Sequence, residues 1–207
     1  MLDAALPVLR EIYERYPTGG ADLETICQII TGVTLIDRTH FIEFDVPRTN
    51  PLWGSFRRFD QVDAPYAPET AVVEVRYAKH LSDDERVFVV TKELCHSLES
   101  VDGTHVVTDA AIDDLVAEFS LFSQQRTGHA MANDTGSFNL EMLATIVAAE
   151  IICPIVHRRT VIVAAGDDPD WEGLGAQIKI PFLYRRGLCS LDHMGSVERI
   201  LRSFNVI

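Results

Sequence analysis

Val89-Val90-Thr91-Lys92-Glu93-Leu94-Cys95-His96-Ser97-Leu98 sets a lysine, a glutamate and a histidine within one short apolar run. Just upstream, Ser82-Asp83-Asp84-Glu85 has the form of a capping box, in which a serine hydroxyl and a glutamate carboxylate satisfy orphan amides at a helix start. Val87, Phe88, Leu94 and Leu98 continue at helical spacing, so a helix is predicted through the quoted stretch. Lys92 and His96 stand four residues apart, which sets them on one face of that helix, and Glu93 follows the lysine.

Before this helix, Ala71 to Tyr77 reads as a strand, and Leu2, Leu6, Leu9, Ile12, Tyr13 and Tyr16 form the apolar stripe of an N-terminal helix. Asp22 is placed to cap a second helix carrying Leu23, Ile26, Cys27 and Ile30. Val33 to Ile36 and His40 to Val46 look extended. Residues 47–70 hold Pro47, Pro51, Pro65 and Pro68 among Trp53, Phe56, Phe59 and Tyr66, which predicts an irregular loop or flap. Downstream, Thr108 is placed to cap a further helix, and Gln124 to Asn139 reads as a polar loop. Leu140 to Cys153 is an apolar helical run stopped at Pro154. A short run at Thr160 to Ala165, an acidic turn, small helices near Trp171 to Ile178 and Pro181 to Leu188, and a last helix with Val197, Ile200, Leu201 and Phe204 complete the chain. Strands come early and helices dominate later, so the fold class is predicted as α+β, a small sheet packed on a helical bundle in one domain over residues 1–207.

With 18 Lys plus Arg against 31 Asp plus Glu, a net charge of -13 and 47% hydrophobic residues, the 207-residue chain can bury a core. It lacks the basic surface that direct nucleic-acid binding requires. Cys27, Cys95, Cys153 and Cys189 form no C-x-x-C pair and read as reduced thiols of an intracellular protein. Asp3 stands where a signal peptide has a basic region, and no apolar run reaches the length of a membrane span, so a soluble, cytoplasmic protein is expected.

In zinc peptidases, His-Glu-x-x-His puts two imidazoles on one helix face, where both reach the metal while the glutamate activates its water. Here the frame is Lys92-Glu93-x-x-His96. Together with Glu141-Met142-Leu143-Ala144-Thr145-Ile146-Val147-Ala148-Ala149-Glu150-Ile151-Ile152-Cys153-Pro154, this frame resembles the zincin-like ImmA/IrrE-type metallopeptidases. That family has Arg-x-Phe-x-x-x-His-Glu-x-x-His on one helix and Glu-x-x-Ala-Asn-x-Phe-Ala-x-x-Leu-Leu-x-Pro on the next. Glu141, Ala144, Ala148, Ile151, Ile152 and Pro154 match, whereas Thr145 and Val147 stand in the Asn and Phe places. The resemblance covers about residues 70–190, including Leu174 to Leu188; within the single domain the motif core is expected at about 70–155 and a small helical segment at about 170–207. It implies His96 and Glu141 as metal ligands and Glu93 as general base. It also implies a regulatory protein partner, such as a helix-turn-helix repressor.

Lys92 departs from that pattern, because an ammonium has no lone pair for zinc and repels it. The Lys92 ammonium is therefore expected to replace the metal as the cation of the cleft, giving a non-catalytic pseudo-enzyme with no bound cofactor. The competing reading is an active metal-dependent peptidase that uses Glu93 as base and recruits His105, His129 or His157 as a substitute ligand; zinc is expected only in that case. Other signals have plainer readings. Cys95 and His96 point about 100° apart on a helix, so the thiol is expected to be structural. Arg158-Arg159 and Arg185-Arg186 read as solvated helix ends. Trp53, Phe56, Phe59 and Tyr66 either line a cleft over the motif helix or anchor an irregular segment. Asp167, Asp168 and Asp170 lack the glycine and distal glutamate of a calcium loop and read as a turn and cap.

Overall fold

The computed structural model describes residues 2–50, 53–66, 68–98 and 136–207, which form a mixed α+β arrangement around a small sheet. In chain order the elements are α1 (Leu2–Arg15), α2 (Leu23–Val33), β1 (Arg38–Phe44), β2 (Gly54–Gln61), β3 (Thr70–Ala78), α3 (Asp83–Cys95), α4 (Gly136–Ile152), α5 (Ile155–Ala165), α6 (Gly175–Ile178), α7 (Phe182–Leu188) and α8 (Leu191–Ser203). One 3-10 turn, His96–Leu98, follows α3 directly. The expected capping box starts α3: the Ser82 side chain accepts from the Glu85 amide, and the Ser82 amide donates back to the Glu85 carboxylate at 3.0 Å. Asp22 likewise caps α2 by accepting from the Thr25 amide.

The sheet order is β1-β3-β2, with β3 central, parallel to β1 and antiparallel to β2. Val73 and Val75 of β3 enter the core shared by α1, α2, α3 and α4. Phe56 lies opposite Val75 and Gly54 opposite Tyr77, and paired residues share a sheet face. Both β2 residues therefore face α3.

The structure corrects several expectations. Residues 47–70 are not irregular throughout, because the four prolines all flank residues 54–61 and leave that run free to donate to a ladder; it is strand β2. Val33 closes α2 instead of starting an extended run, and Thr34 is the cap. The extended run expected at His40 to Val46 is strand β1, which starts at Arg38, ends at Phe44 and lies at the sheet edge, exposed along most of its length. Gly136 to Asn139, read as loop, already belongs to α4. Thr160 to Ala165 is the second half of α5, which starts at Ile155 because Pro154 is tolerated at a helix N-cap and turns the chain by 80° from α4. Only Gly175–Ile178 of the first small helix is helical, and Asp170 acts in the turn before it, accepting from the Glu172 amide at 3.1 Å. The helix expected after Thr108 and the rest of the Gln124 to Asn139 loop lie outside the described residues. No single helix among the described residues is long and apolar enough to cross a membrane.

Arg158 is the largest correction, because it is buried at 0% exposure instead of solvated. Its guanidinium donates to Glu150 Oε1 at 2.5 Å and to the Cys153 carbonyl at 3.0 Å. Glu150 Oε2 accepts from the Tyr13 hydroxyl at 2.6 Å and from the Ile155 amide at 3.0 Å, so the carboxylate also caps α5. Burial opposes the Arg158 charge, but Glu150 outweighs it and the guanidinium stays protonated. Burial pushes the neighbouring Cys153 and Cys189 thiols up to about 12 and about 11, which keeps both neutral. Arg185 is also no solvated end: it donates to the Ile180 and Trp171 carbonyls, each at 2.6 Å. Arg158→Met strands a buried carboxylate and is expected to destabilise the protein by about 3–5 kcal/mol in urea unfolding. The double substitution Glu150→Leu, Arg158→Met is expected to recover most of that loss. A single variant within about 1 kcal/mol of the parent contradicts this account.

Candidate functional site

Helices α3 and α4 pack against each other, and their facing sides bring together the four residues singled out in the sequence. Lys92 Nζ lies 2.8 Å from Glu93 Oε1 and 2.8 Å from Glu141 Oε2. His96 Nε2 lies 2.9 Å from Glu141 Oε1. The side chains are between 4% and 14% exposed, so this is a buried charge cluster. Lys92 is in the last turn of α3, and His96 caps that helix where it tightens into the 3-10 turn. Glu141 lies early in α4.

Burial works against the Lys92 charge, but Glu93 and then Glu141 outweigh it and hold the ammonium above the ordinary lysine value. Burial equally works against the Glu141 carboxylate, yet Lys92 and His96 hold it well below the usual carboxylate range. The ion pair between the two helices is thus charged across the neutral pH region. Cys95, next to His96 in sequence, is buried, and burial pushes its thiol far up, in keeping with a structural role.

Three further residues complete the site: Gly54 and Tyr184, which the sequence did not assign to it, and Phe56, which it offered as one of two readings. Gly54 is the first: a Cβ there would lie 2.8 Å from Glu93 Oε1 and 2.6 Å from Val89 Cγ1. The absence of a side chain lets β2 close directly over α3. Phe56 lies over His96 with ring centroids 5.9 Å apart. Tyr184 of α7 stacks on Phe88 at 5.2 Å, and its phenol, whose pKa burial raises, feels Lys92, Glu141 and Glu93. Gly54 and Phe56 sit in the proline-rich stretch, where only the register of β2 reveals their direction. Nothing local to Tyr184 marks it.

Of the four aromatics weighed as a cleft lining, only Phe56 is brought to the cluster. Trp53 meets His80 edge-on at 6.4 Å, Phe59 lies under the Arg57 guanidinium at 4.6 Å, and Tyr66 is fully exposed in a left-handed turn, φ 69°. Among the substitute ligands, His157 is half-buried on α5, and His105 and His129 lie outside the described residues.

The donor set does not fit a zinc ion. His96 Nε2 faces Glu141 Oε1 at 2.9 Å, so the imidazole and the carboxylate meet directly. Glu141 Oε2 is already held by the Lys92 ammonium, which would repel a dication. Among the described residues, no group of three or more His, Cys, Asp or Glu is arranged to hold a metal ion. A cation, two carboxylates and an imidazole can therefore hold one another, and α3 to α4, without a metal.

No family model matches the chain, and comparison with curated proteins and with solved structures finds no match.

Lys92→Met leaves Glu93 and Glu141 facing each other and is expected to lower stability by about 3–5 kcal/mol near neutral pH. In the parent protein the Lys92 contribution is complete below the unfolded lysine value of 10.5 and is lost as pH rises beyond it; the Glu141 contribution is complete above 4.5 and is lost as pH falls below it. The gap between parent and variant in urea midpoints is therefore expected to be widest between those values and to shrink toward both acid and strong base; a gap independent of pH contradicts the pairing. Gly54→Ala forces Val89 and Glu93 to shift, at a cost of about 1–3 kcal/mol in the same assay.

Proposed function

We propose that this chain is a metallopeptidase-like protein of the ImmA/IrrE type, zincin-like in fold, whose metal has been replaced by its own lysine. On this reading it is a non-catalytic, cytoplasmic pseudo-peptidase that acts in regulation through a protein partner. The observation that carries the proposal is the Lys92 ammonium, 2.8 Å from both Glu93 and Glu141.

In a zinc peptidase the metal lowers the pKa of bound water and polarises the scissile carbonyl. An ammonium with filled valence does neither, since it offers hydrogen-bond donors but no empty coordination position. Glu93, the general base of the parent motif, has an oxygen engaged by Lys92. His96, a ligand in that motif, contacts Glu141 instead. Each residue retains its motif position while its atoms are committed to another residue of the cluster. What survives is the mechanical consequence of the site, a fixed junction of α3 and α4 roofed by β2.

The partner is a protein because the chain's charge of -13 disfavours contact with a polyanion. The family resemblance points to a helix-turn-helix repressor as one such partner, which would bring the DNA-binding surface.

Calorimetric titration of the purified protein with Zn²⁺ is expected to find no tight site, and elemental analysis no stoichiometric metal. Lys92→His is expected to gain zinc affinity by at least tenfold, because it restores the missing imidazole at the helix position facing Glu141. One tightly held zinc per parent chain, or a peptidase activity that Glu93→Gln abolishes, overturns the proposal in favour of an active metal-dependent enzyme.

A further inference from the structure

Away from the cluster, α5 and α8 enclose an open groove of about 550 Å³. We propose that this groove docks an amphipathic helical segment of a partner protein whose apolar stripe is flanked by acidic side chains. The inner side of α5 is buried through Ile155, Arg158 and Ile162. Its outer side carries Val156 and Val163, which are 55% and 64% exposed. They stand seven residues apart with Thr160 between them, which makes a straight apolar stripe about 10 Å long, two turns of helix. A stripe at that spacing fits the i, i+3, i+7 side chains of another helix.

The rim decides the charge of the occupant. Glu198 of α8 is shared by two arginines, Arg159 from α5 and Arg202 one turn along α8, the latter at 2.8 Å. One carboxylate against two guanidiniums leaves the groove cationic. In a chain with 18 basic and 31 acidic residues this is a local reversal: α5 and α8 together carry Arg158, Arg159, Arg199 and Arg202 against Asp192 and Glu198. Arg158 is neutralised by Glu150 beneath the surface, so the positive charge at the groove belongs to Arg159 and Arg202, which share the single carboxylate of Glu198. Acidic flanks on an incoming helix meet that charge, and basic flanks are repelled by it.

The groove is also preorganised. Arg158 ties α5 to Glu150 and to the Cys153 carbonyl, so the wall bearing Val156 and Val163 does not have to be ordered on binding. Because the groove lies on α5 and α8 and the lysine cluster on α3 and α4, a failure of the zinc experiments leaves this proposal standing, and the reverse holds too.

The test uses two fluorescein-labelled helical peptides with the same leucine stripe, one flanked by glutamates and one by lysines, titrated with the full chain and followed by anisotropy. The acidic peptide is expected to bind at least tenfold more tightly than the basic one, with an affinity that falls as salt rises. Val163→Asp is expected to weaken it about tenfold or more, and Val163→Ala to weaken it less. The double substitution Arg159→Glu, Arg202→Glu is expected to reverse the preference toward the lysine peptide, with circular dichroism showing each variant folded. Equal binding of both peptides, binding unaffected by Val163→Asp, or no binding of the acidic peptide overturns the proposal. So does a dimer in sedimentation that Val163→Asp dissolves, which would assign the groove to a second copy of the chain.

Discussion

A buried ammonium cannot be left alone, and the Lys92 side chain meets that constraint by taking a carboxylate from each of two places: Glu93 beside it on α3 and Glu141 across the interface on α4. Removing a charge from water costs several kcal/mol, and only close, well-directed counter-charges recover it. The arrangement therefore fixes the distance and rotation of α4 relative to α3. Burying apolar side chains such as Leu94 and Ala144 favours contact between those helices, but hydrophobic contact alone tolerates a range of rotations. The ion pair selects one of them, and Phe56 over His96 and Gly54 over Glu93 make the same rotation necessary from the side of β2.

Helix α4 carries a second buried carboxylate, Glu150, nine residues after Glu141. Nine residues are about two and a half turns, so the two carboxylates leave α4 on opposite sides. Glu141 goes to α3, whereas Glu150 goes to Tyr13 of α1 and to Arg158 of α5. A helix that is apolar nearly all round belongs at the centre of a bundle, and these two carboxylates tell α4 which neighbour stands on which side. The 80° turn at Pro154 follows from the same network, since Glu150 caps α5 just past the proline and Arg158 reaches back to the Cys153 carbonyl.

Much of the local structure is legible in the sequence because local chemistry dictates it. Ser82 with Glu85 announces the start of α3, Asp22 the start of α2, and Pro154 the end of α4, each through backbone amides that need partners or cannot exist. The features that escape a local reading depend on partners distant in the chain. The prolines around residues 54–61 obscure β2, whose strand character comes from pairing with β3 more than from its own alternation. Arg158-Arg159 looks like a pair of solvated charges, but the two side chains point to different sides of α5, one into the core and one to the groove rim. No local pattern distinguishes them until Glu150 and Glu198 are in place.

The α+β class, the capped helix that presents Lys92, Glu93 and His96 in register, and the lysine standing where a metal site of this form would need an imidazole are all written in the order of residues. Covalent geometry and the 3.6-residue period settle those matters within a dozen residues. Three other outcomes belong to the folded chain: the lysine is paired with Glu141, the bare backbone of Gly54 closes over Glu93, and Arg158 lies inside while Arg159 lies outside. They rest mostly on contacts between residues tens of positions apart, where the cost of burying a charge is decided by what the other elements bring to meet it.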